Sequence, residues 1–253
     1  MIPAHKAHRF AALHVRDHPL VLTNIWDAGS AKAVADAGAL AIATGSWSMA
    51  AAQGYADGEV IPLDRVEEIV RRIATTVDLP VTVDFEGGYA LEPEKVAANV
   101  ERIVSAGAIG INFEDGVIGA SGVHDIPVQC RRIGAVRGRA IELAVDIFIN
   151  ARTDLFLQAK GSDRHAALLD PAIERARAYE EAGASGFFAP GLVDERLIGA
   201  LCAATKLPVN IMMMDTAPLI ARLAELGVSR ISYGPLPFVQ CMQHLQHHAS
   251  SAS

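Results

Sequence analysis

Two hydrophobic patterns alternate along the chain, one with the period of an amphipathic helix and one with the length of a buried strand. Short, nearly continuous apolar runs recur eight times, as expected for strands buried on both faces of a parallel sheet. Residues 65–77 show the clearest helical period between two such runs. The predicted strands cover roughly residues 20–24, 39–44, 80–84, 108–113, 146–150, 185–189, 207–211 and 229–233.

Glycine follows four of the predicted helices in similar contexts, at Gly38, Gly107, Gly183 and Gly227. Each suits the left-handed backbone conformation that commonly ends a helix, and an apolar run of strand length comes next. Eight strand–helix units in 253 residues favour an α/β fold, a (β/α)₈ TIM-type barrel. No GxGxxG sequence follows a strand, which weakens the alternative of a doubly wound dinucleotide-binding sheet.

We expect a single barrel domain over residues 1–253, because no linker or low-complexity segment divides the chain. Its strands would lie between about residues 20 and 233. Residues 249–253 are predicted to form a disordered tail. A chain of this length buries enough surface to fold without a disulfide or a structural metal.

The charge balance restricts the classes of partner. A formal net charge of −7 argues against a nucleic acid or an anionic membrane surface, which would favour a basic face. An anionic small molecule stays possible, because a local cation can reverse the field inside a pocket. The three cysteines form no CxxC pair, and neither a signal peptide nor an 18-residue apolar span is evident. We therefore expect a cytoplasmic protein.

Carboxylates are concentrated where the third and fourth predicted strands end. Catalytic groups of a barrel lie at these ends, and here the chain has Asp84, Glu86, Glu114 and Asp115. Crowded carboxylates repel one another unless a hard divalent cation such as Mg²⁺ lies between them. Asp57, in the long loop after the second strand, could join the outer shell. The alternative is that Asp84 and Glu86 cap the next helix while Glu114 pairs with an arginine.

Arg152 is the only arginine or lysine at the end of a predicted strand. Its planar guanidinium suits bidentate binding of a carboxylate or phosphonate. Alternatively, it forms an internal ion pair with Asp154 or Glu114. Three asparagines would offer neutral hydrogen bonds or belong to the barrel layers, namely Asn112, Asn150 and Asn210.

Several reaction classes are disfavoured by what the strands lack. A Schiff-base aldolase needs a lysine inside the barrel, and none of the five lysines lies in a predicted strand. A glycine-rich phosphate cradle after the last two strands is missing, which weakens a sugar-phosphate substrate. No GxSxG sequence supports a serine nucleophile.

Taken together, the strand-end sequences resemble the isocitrate lyase/phosphoenolpyruvate mutase superfamily over about residues 20–240. Residues 83–89 (Val-Asp-Phe-Glu-Gly-Gly-Tyr) resemble its D-x-D-x-G-Y/F motif, with Glu86 in place of the second Asp. Residues 44–46 (Thr-Gly-Ser) resemble its substrate-binding segment, and residues 113–115 (Phe-Glu-Asp) its E-D pair. Residues 150–154 (Asn-Ala-Arg-Thr-Asp) resemble its A-R-T-D/E motif, and Asn210 matches the asparagine that ends the seventh strand.

This resemblance implies an enzyme that uses Mg²⁺ or Mn²⁺ and acts on 2-oxo acids or their aldol-type adducts. Asp84 would be the direct metal ligand, with Asp57, Glu86 and Glu114 acting through water. The implied substrate-binding residues are Thr44, Gly45, Ser46, Trp26, Asn210 and Arg152. The charge that develops on an enolate oxygen would be stabilised at the metal.

The loop after the fourth strand departs from the superfamily patterns. Lyases of isocitrate and methylisocitrate carry K-K/R-C-G-H there, and the mutase and hydrolase pattern is Lys-Thr-Asn. Residues 119–124 read Gly-Ala-Ser-Gly-Val-His, so only the histidine position is kept. His124 or a metal-bound water is then the candidate acid or base, with Arg152 and Glu114 as the other catalytic candidates.

Three hypotheses follow for the function. The first is a Mg²⁺-dependent enzyme that cleaves or forms a C–C bond in a small 2-oxo or 2-hydroxy (di)carboxylate, as a lyase or decarboxylase. The second is a phosphonopyruvate hydrolase or phosphoenolpyruvate mutase, which acts on a P–C bond. The third is a barrel that binds a 2-oxo acid without catalysis. The partner in each case is a small anionic carboxylate, and the resemblance implies a homo-oligomer, dimer or tetramer.

Overall fold

The computed structural model describes residues 4–159 and 161–251. Within them, nine parallel strands form one sheet, β1 (Leu20–Leu22), β2 (Asn24–Ile25), β3 (Ile42–Thr44), β4 (Val81–Asp84), β5 (Gly110–Glu114), β6 (Phe148–Arg152), β7 (Gly186–Phe188), β8 (Val209–Met212) and β9 (Arg230–Ser232). The helices are α1 (Ala4–Ala12), α2 (Ala28–Asp36), α3 (Ser46–Ala52), α4 (Leu63–Thr76), α5 (Pro93–Ser105), α6 (Ile126–Glu142), α7 (His165–Glu181), α8 (Glu195–Ala204), α9 (Ile220–Glu225) and α10 (Leu236–Ser251), with a 3₁₀ turn at Ser162–Arg164.

The sheet closes on itself at its first segment. The strand order is β1-β9-β8-β7-β6-β5-β4-β3-β2, and only Thr23 separates β1 from β2. β1 pairs with β9 and β2 pairs with β3, so one stretch of chain contacts both edges of the sheet. Asn24 reinforces this seam, since its side chain donates to the carbonyl of Thr44 and accepts from the amides of Tyr233 and Gly234. The predicted α/β barrel is confirmed.

The predicted elements agree with the structure to within a few residues. All eight apolar runs contain a strand, the first run being split into β1 and β2, and the predicted helix at 65–77 is α4. The four helix-ending glycines have left-handed φ values of 92°, 118°, 105° and 87° in chain order. The disordered tail is wrong for residues 249–251, which belong to α10, while 252 and 253 lie outside the described residues.

Helix α1 covers the end of the barrel at which the strands begin. Phe10 is fully buried and packs edge-to-face on Phe148 of β6, with 5.4 Å between ring centroids. His14 stacks on the same ring at 4.0 Å. This apolar plug leaves the opposite end, where the strands finish, as the open face of the barrel. Among the described residues, no helix combines the length and apolar character that crossing a membrane requires.

Candidate active site

Asp84, the last residue of β4, is held in place by the segment that follows β3. Its Oδ2 accepts hydrogen bonds from the Ser46 amide at 3.1 Å and the Ser46 hydroxyl at 2.8 Å. The Asp84 amide donates to Oγ1 of Thr44 at 2.9 Å. Its other oxygen, Oδ1, has only a long contact of 3.4 Å with the side-chain amide of Asn112. Asp84 therefore presents one weakly engaged oxygen on a fixed carboxylate.

Glu86 lies beside Asp84 and ties the loop after α3 to the strand ends. Its Oε1 accepts from the amides of Gly58 and Glu59 at 3.0 and 3.1 Å. Its backbone is left-handed, with φ of 47°, and its carbonyl accepts from the Glu114 amide at 2.9 Å. Burial, followed by the charges of Asp84 and Asp57, raises the pKa of Glu86 to about 8.

The acidic groups fit a hard divalent cation. Burial and the charge of Asp84 raise the pKa of Asp57. Asp57 and Glu86 are therefore both harder to ionise because Asp84 lies nearby. A divalent cation would relieve this cost, and oxygen atoms are the donors that Mg²⁺ prefers. Within residues 4–159 and 161–251, no three acidic, histidine or cysteine side chains form a chelating group. Asp84, with its weakly engaged Oδ1, is thus the residue here that could contact such a cation directly.

Arg152 forms the internal ion pairs that the sequence left open as an alternative. Its Nη1 lies 3.0 Å from Oε2 of Glu114, and its Nε and Nη2 contact both oxygens of Asp154 at 2.6 and 3.1 Å. Burial alone would lower the pKa of Arg152, but these two carboxylates raise it above its ordinary value. Burial raises the pKa of Glu114, an effect that Arg152 opposes. The side chain is still 15% exposed and borders the cavity.

Asp115 points away from the other carboxylates. Its Oδ2 accepts from Arg175 at 3.1 Å and from the Tyr179 hydroxyl at 2.8 Å, and its Oδ1 accepts from the Asp154 amide at 3.0 Å. It is fully buried, so the pair with Arg175 is an internal one. Asp115 therefore anchors the base of two loops instead of adding to the metal site.

The loop of residues 116–124 folds back as a short antiparallel turn. Gly116 and Val123 form an isolated bridge. The side chain of Gln158 accepts from the amide of Gly122 at 2.7 Å and donates to its carbonyl at 3.2 Å. His124 is anchored through its amide to the carbonyl of Asp115 at 2.7 Å, and burial, then the charge of Arg132, lowers the pKa of its ring.

A cavity of about 220 Å³ opens above Asp84 at the strand ends. Five of the predicted site residues line it, namely Gly45, Ser46, Asp57, Asp84 and Arg152. Its other lining residues are Asn24, Trp47, Ser48, Asn112, Leu157, Phe188, Pro190, Met212, Ser232, Gly234 and Pro235. The structure thus brings Asp57, Asp84 and Arg152 to one small chamber.

The other predicted site residues lie around this chamber but not in its wall. They are Thr44, Trp26, Glu86, Glu114, Asn210 and His124. Thr44 accepts from the Asp84 amide, and Glu86 accepts from the amides of Gly58 and Glu59, as described above. Asn210 accepts from the Ser232 hydroxyl at 2.9 Å, and Trp26 packs edge-to-face on Phe238 at 5.0 Å. The backbone amides of Gly45 and Ser46 are also engaged, with the Ile25 carbonyl and Asp84 respectively.

The sequence did not predict two features of the cavity, the lining residue Trp47 and the buried arginine Arg230. Trp47 lines the cavity in place of Trp26, although both follow strand ends. Arg230 is 1% exposed inside the barrel and donates to Oδ1 of Asn112 at 3.1 Å. Burial lowers its pKa to about 9. Arg230 begins its strand, where a charged residue ordinarily faces solvent, so the sequence carries no signal for its burial.

The chain matches known proteins along almost its whole length. A family model for phosphoenolpyruvate phosphomutase matches residues 10–252. The crystal structure of a provisionally assigned phosphonomutase from Burkholderia cenocepacia J2315 is 47% identical, with a TM-score of 0.96 over 99% of both chains. The 2-methylisocitrate lyase of Escherichia coli K12 is 30% identical over 94% of this chain and 81% of its own. An oxaloacetate decarboxylase of Bradyrhizobium sp. BTAi1 is 31% identical over 81% of this chain and 72% of its own.

The fold and the carboxylate-rich cavity at its strand ends define a (β/α)₈ barrel with an enzyme's site on its open face. The chain belongs to the phosphoenolpyruvate phosphomutase family, and with it to the isocitrate lyase/phosphoenolpyruvate mutase superfamily. The resemblance drawn from the strand-end motifs is confirmed. Its homologues include carbon–carbon lyases.

Proposed function

We propose that this protein is a Mg²⁺- or Mn²⁺-dependent enzyme that cleaves or forms a C–C bond in a small 2-oxo or 2-hydroxy (di)carboxylate. The observation that carries the proposal is Asp84, a fixed carboxylate with a weakly engaged Oδ1 at the floor of the cavity. The volume of about 220 Å³ suits a small acid, because pockets for drug-sized ligands begin at about 300 Å³.

Asp84 would hold the metal, and Asp57, Glu86 and Glu114 would contact it through water. When bound, the cation supplies electrophilic stabilisation of negative charge on the 2-oxo oxygen. Arg152 would bind the substrate carboxylate. Three of its five N–H groups face Glu114 and Asp154, so one hydrogen on each Nη is left for a ligand.

Decarboxylation is the C–C reaction that this cavity supports best. A lyase that releases a carbanion needs an acid to protonate the departing fragment. Among the described lining residues there is no lysine, cysteine or histidine, and His124 lies outside the wall. In decarboxylation the C–C bond to the carboxylate breaks, CO₂ leaves without a proton, and the electron pair stays on the 2-oxo fragment as an enolate. Water can protonate C3 of this enolate afterwards, so no side-chain acid has to be in place when the bond breaks. The match with an oxaloacetate decarboxylase supports the same choice.

Metal-dependent binding of oxalate, which mimics a pyruvate enolate, tests the proposal. In isothermal titration, wild-type protein should bind oxalate with Mg²⁺ and show no heat of binding without it. Asp84→Ala should abolish the binding. Equal binding by the variant, or no binding to wild type under either condition, would overturn the proposed function.

A second candidate is an enzyme that acts on a P–C bond. The specific observation in its favour is the 47% identity to the phosphonomutase-like protein of B. cenocepacia. Against it, phosphoryl transfer needs positive charge around the transferred group, and Arg152 is the only cationic residue lining the cavity among those described. Release of inorganic phosphate from phosphonopyruvate, measured beside CO₂ release from oxaloacetate, separates the two reactions.

A further inference from the structure

The cavity is divided into a polar floor and an apolar wall. Apart from Ser232 of β9, the polar lining residues lie on or after the neighbouring strands β2 to β6, and they include Asp84, Asn112 and Arg152. The apolar lining residues other than Trp47 follow β6 to β9, which are also neighbours in the ring, and they are Leu157, Phe188, Pro190, Met212 and Pro235. The boundary passes between Arg152 and Phe188, whose guanidinium carbon and ring centroid are 6.0 Å apart.

Neighbouring segments of the apolar wall approach closely at two points. A Cβ at Gly191 would lie 2.9 Å from the backbone nitrogen of Leu157, so the segments after β6 and β7 touch there. A Cβ at Gly234 would lie 2.7 Å from the sulfur of Met212, so the ends of β8 and β9 touch as well. Glycine at both positions allows this close packing.

Trp47 completes the wall and is fixed from behind. The rings of Trp47 and Phe238 pack edge-to-face, with 5.9 Å between centroids. Trp26 packs edge-to-face on the same phenylalanine. Phe238, a residue of α10, is only 9% exposed, so it provides a buried support for the Trp47 ring. Trp47 and Leu157 are themselves 41% and 42% exposed, which places apolar surface at the mouth of the cavity.

Among the described residues, the charged groups of the cavity lie on its polar floor and none lies on the apolar wall. The charged lining residues are Asp57, Asp84 and Arg152, and Arg152 already faces Glu114 and Asp154. A bound divalent cation would lie on the same floor, beside Asp84, so both cationic partners of a substrate acid would be at that end of the cavity. A second carboxylate lodged against the apolar wall would be desolvated without a cationic partner, which is unfavourable.

We propose that the apolar wall binds an alkyl substituent on C3 of the substrate, so that the enzyme prefers alkyl-substituted 2-oxo or 2-hydroxy acids over acids whose C3 substituent ends in a carboxylate. This inference rests on the proposed function, because it assumes that the acid end binds at Asp84 and Arg152. A carboxylate lost as CO₂ is a different substituent of C3 and does not occupy the apolar wall. Specificity then comes from shape and burial of hydrocarbon, beginning with Leu157, Phe188 and Met212.

Two five-carbon acids give a matched test. 2-Oxopentanoate ends in a methyl group where 2-oxoglutarate ends in a carboxylate. We expect 2-oxopentanoate to displace oxalate from the Mg²⁺-loaded protein at a concentration at least tenfold lower than 2-oxoglutarate requires. Along the series pyruvate, 2-oxobutyrate and 2-oxopentanoate, affinity should rise about fourfold per methylene.

Leu157→Arg places a cation in the wall at a partly exposed position that tolerates a long side chain. We expect this variant to bind 2-oxoglutarate at least tenfold more tightly than wild type and to lose the preference for the methyl acid. Leu91→Arg is the matched control, because Leu91 is 64% exposed and lies outside the cavity. It should leave both affinities unchanged.

The outcomes separate this inference from the function beneath it. If oxalate binds with Mg²⁺ but 2-oxoglutarate binds wild type as tightly as 2-oxopentanoate, the alkyl preference is wrong and the proposed function stands. If oxalate does not bind wild type, both proposals fail together. An unchanged preference in Leu157→Arg would also count against the wall as the site of the alkyl group.

Discussion

At the scale of single residues, the site is built from hydrogen bonds that fix its carboxylates before any ligand binds. Ser46 shows this most clearly, since both its amide and its hydroxyl donate to the same oxygen of Asp84. The other oxygen of Asp84, Oδ1, lies 3.4 Å from the side-chain nitrogen of Asn112. The side-chain oxygen of Asn112 accepts hydrogen bonds from Asn150 and Arg230, which fix its orientation. Such outer contacts orient metal ligands and raise metal affinity.

Ser46→Ala should therefore weaken Mg²⁺ binding about tenfold in the presence of oxalate, because Asp84 loses one of its two strong donors. Isothermal titration of Mg²⁺ measures the effect. Ser48→Ala is the matched control, since Ser48 also lines the cavity but its hydroxyl has no hydrogen-bond partner. Equal losses in the two variants would contradict the role given to Ser46.

Asp115→Asn tests a buried ion pair that supports the site from below. The variant would leave Arg175 buried without its anionic partner, at a cost of about 3 kcal/mol in the free energy of unfolding. Urea denaturation measures this change. Asp36→Asn, in an exposed pair with Lys32, should change stability far less. Comparable effects of both variants would show that Asp115 is not a structural anchor.

At the scale of elements, the loop of residues 116–124 is held to the barrel by few contacts. Gln158 clamps Gly122 through two exposed hydrogen bonds, and the bridge between Gly116 and Val123 closes the base of the turn. Segments with few buried contacts and exposed hydrogen bonds open more readily than the core. The loop can therefore move without unfolding the barrel.

Gln158→Ala should increase the rate of limited proteolysis in residues 117–123 several-fold while leaving the thermal midpoint nearly unchanged. The reason is that the two lost hydrogen bonds are exposed and local. Mass spectrometry of the fragments locates the cleavage. Gln243→Ala, on the exposed face of α10, should leave the rate as in wild type.

Regular elements could be predicted from the sequence better than loops could. Apolar runs and helix-ending glycines located every strand, because burial on both faces leaves a pattern that needs no tertiary information. His124 was expected near the chemistry, but its loop turns back through Gly122 to Gln158, 36 residues distant in sequence. Contacts of this kind depend on the assembled barrel, so a local pattern does not reveal them.

At the scale of the whole molecule, burial of a titratable group links stability to pH. The Nδ1 of His14 donates to the carbonyl of Phe10 at 2.9 Å, and its Nε2 is buried without a partner. Burial, then the charge of Arg230, lowers the pKa of His14 from 6.5 to about 3. The folded chain thus binds this proton less readily than the unfolded chain, so His14 opposes folding as the pH falls below 6.5.

His14→Phe should reduce the loss of unfolding free energy that wild-type protein shows as the pH falls from 7.5 to 5. The contribution of His14 is constant above pH 6.5 and becomes unfavourable between pH 6.5 and about 3, reaching about 2 kcal/mol at pH 5. Urea denaturation at pH 7.5, 6 and 5 gives the change for each protein. His244→Phe, at an exposed position on α10, should follow the wild-type curve. Parallel curves for wild type and His14→Phe would contradict the assignment.

The site was predictable where it follows from strand ends and unpredictable where it follows from closure of the barrel. Asp84, Asp57 and Arg152 lie in the cavity wall, as their positions after strands implied. Both tryptophans pack on Phe238, which lies far along the chain, and of the two it is Trp47 that also lines the cavity. Burial of Arg230 likewise depends on α1 sealing the opposite end.

The contact between Phe238 and Trp47 connects the carboxyl-terminal helix to both halves of the cavity. Trp47 lines the cavity and packs on Phe238 of α10, a helix that lies after the last strand. The residue before Trp47 is Ser46, whose amide and hydroxyl donate to Asp84. A substitution in α10 that displaces Trp47 would therefore affect the orientation of Asp84 as well as the shape of the apolar wall.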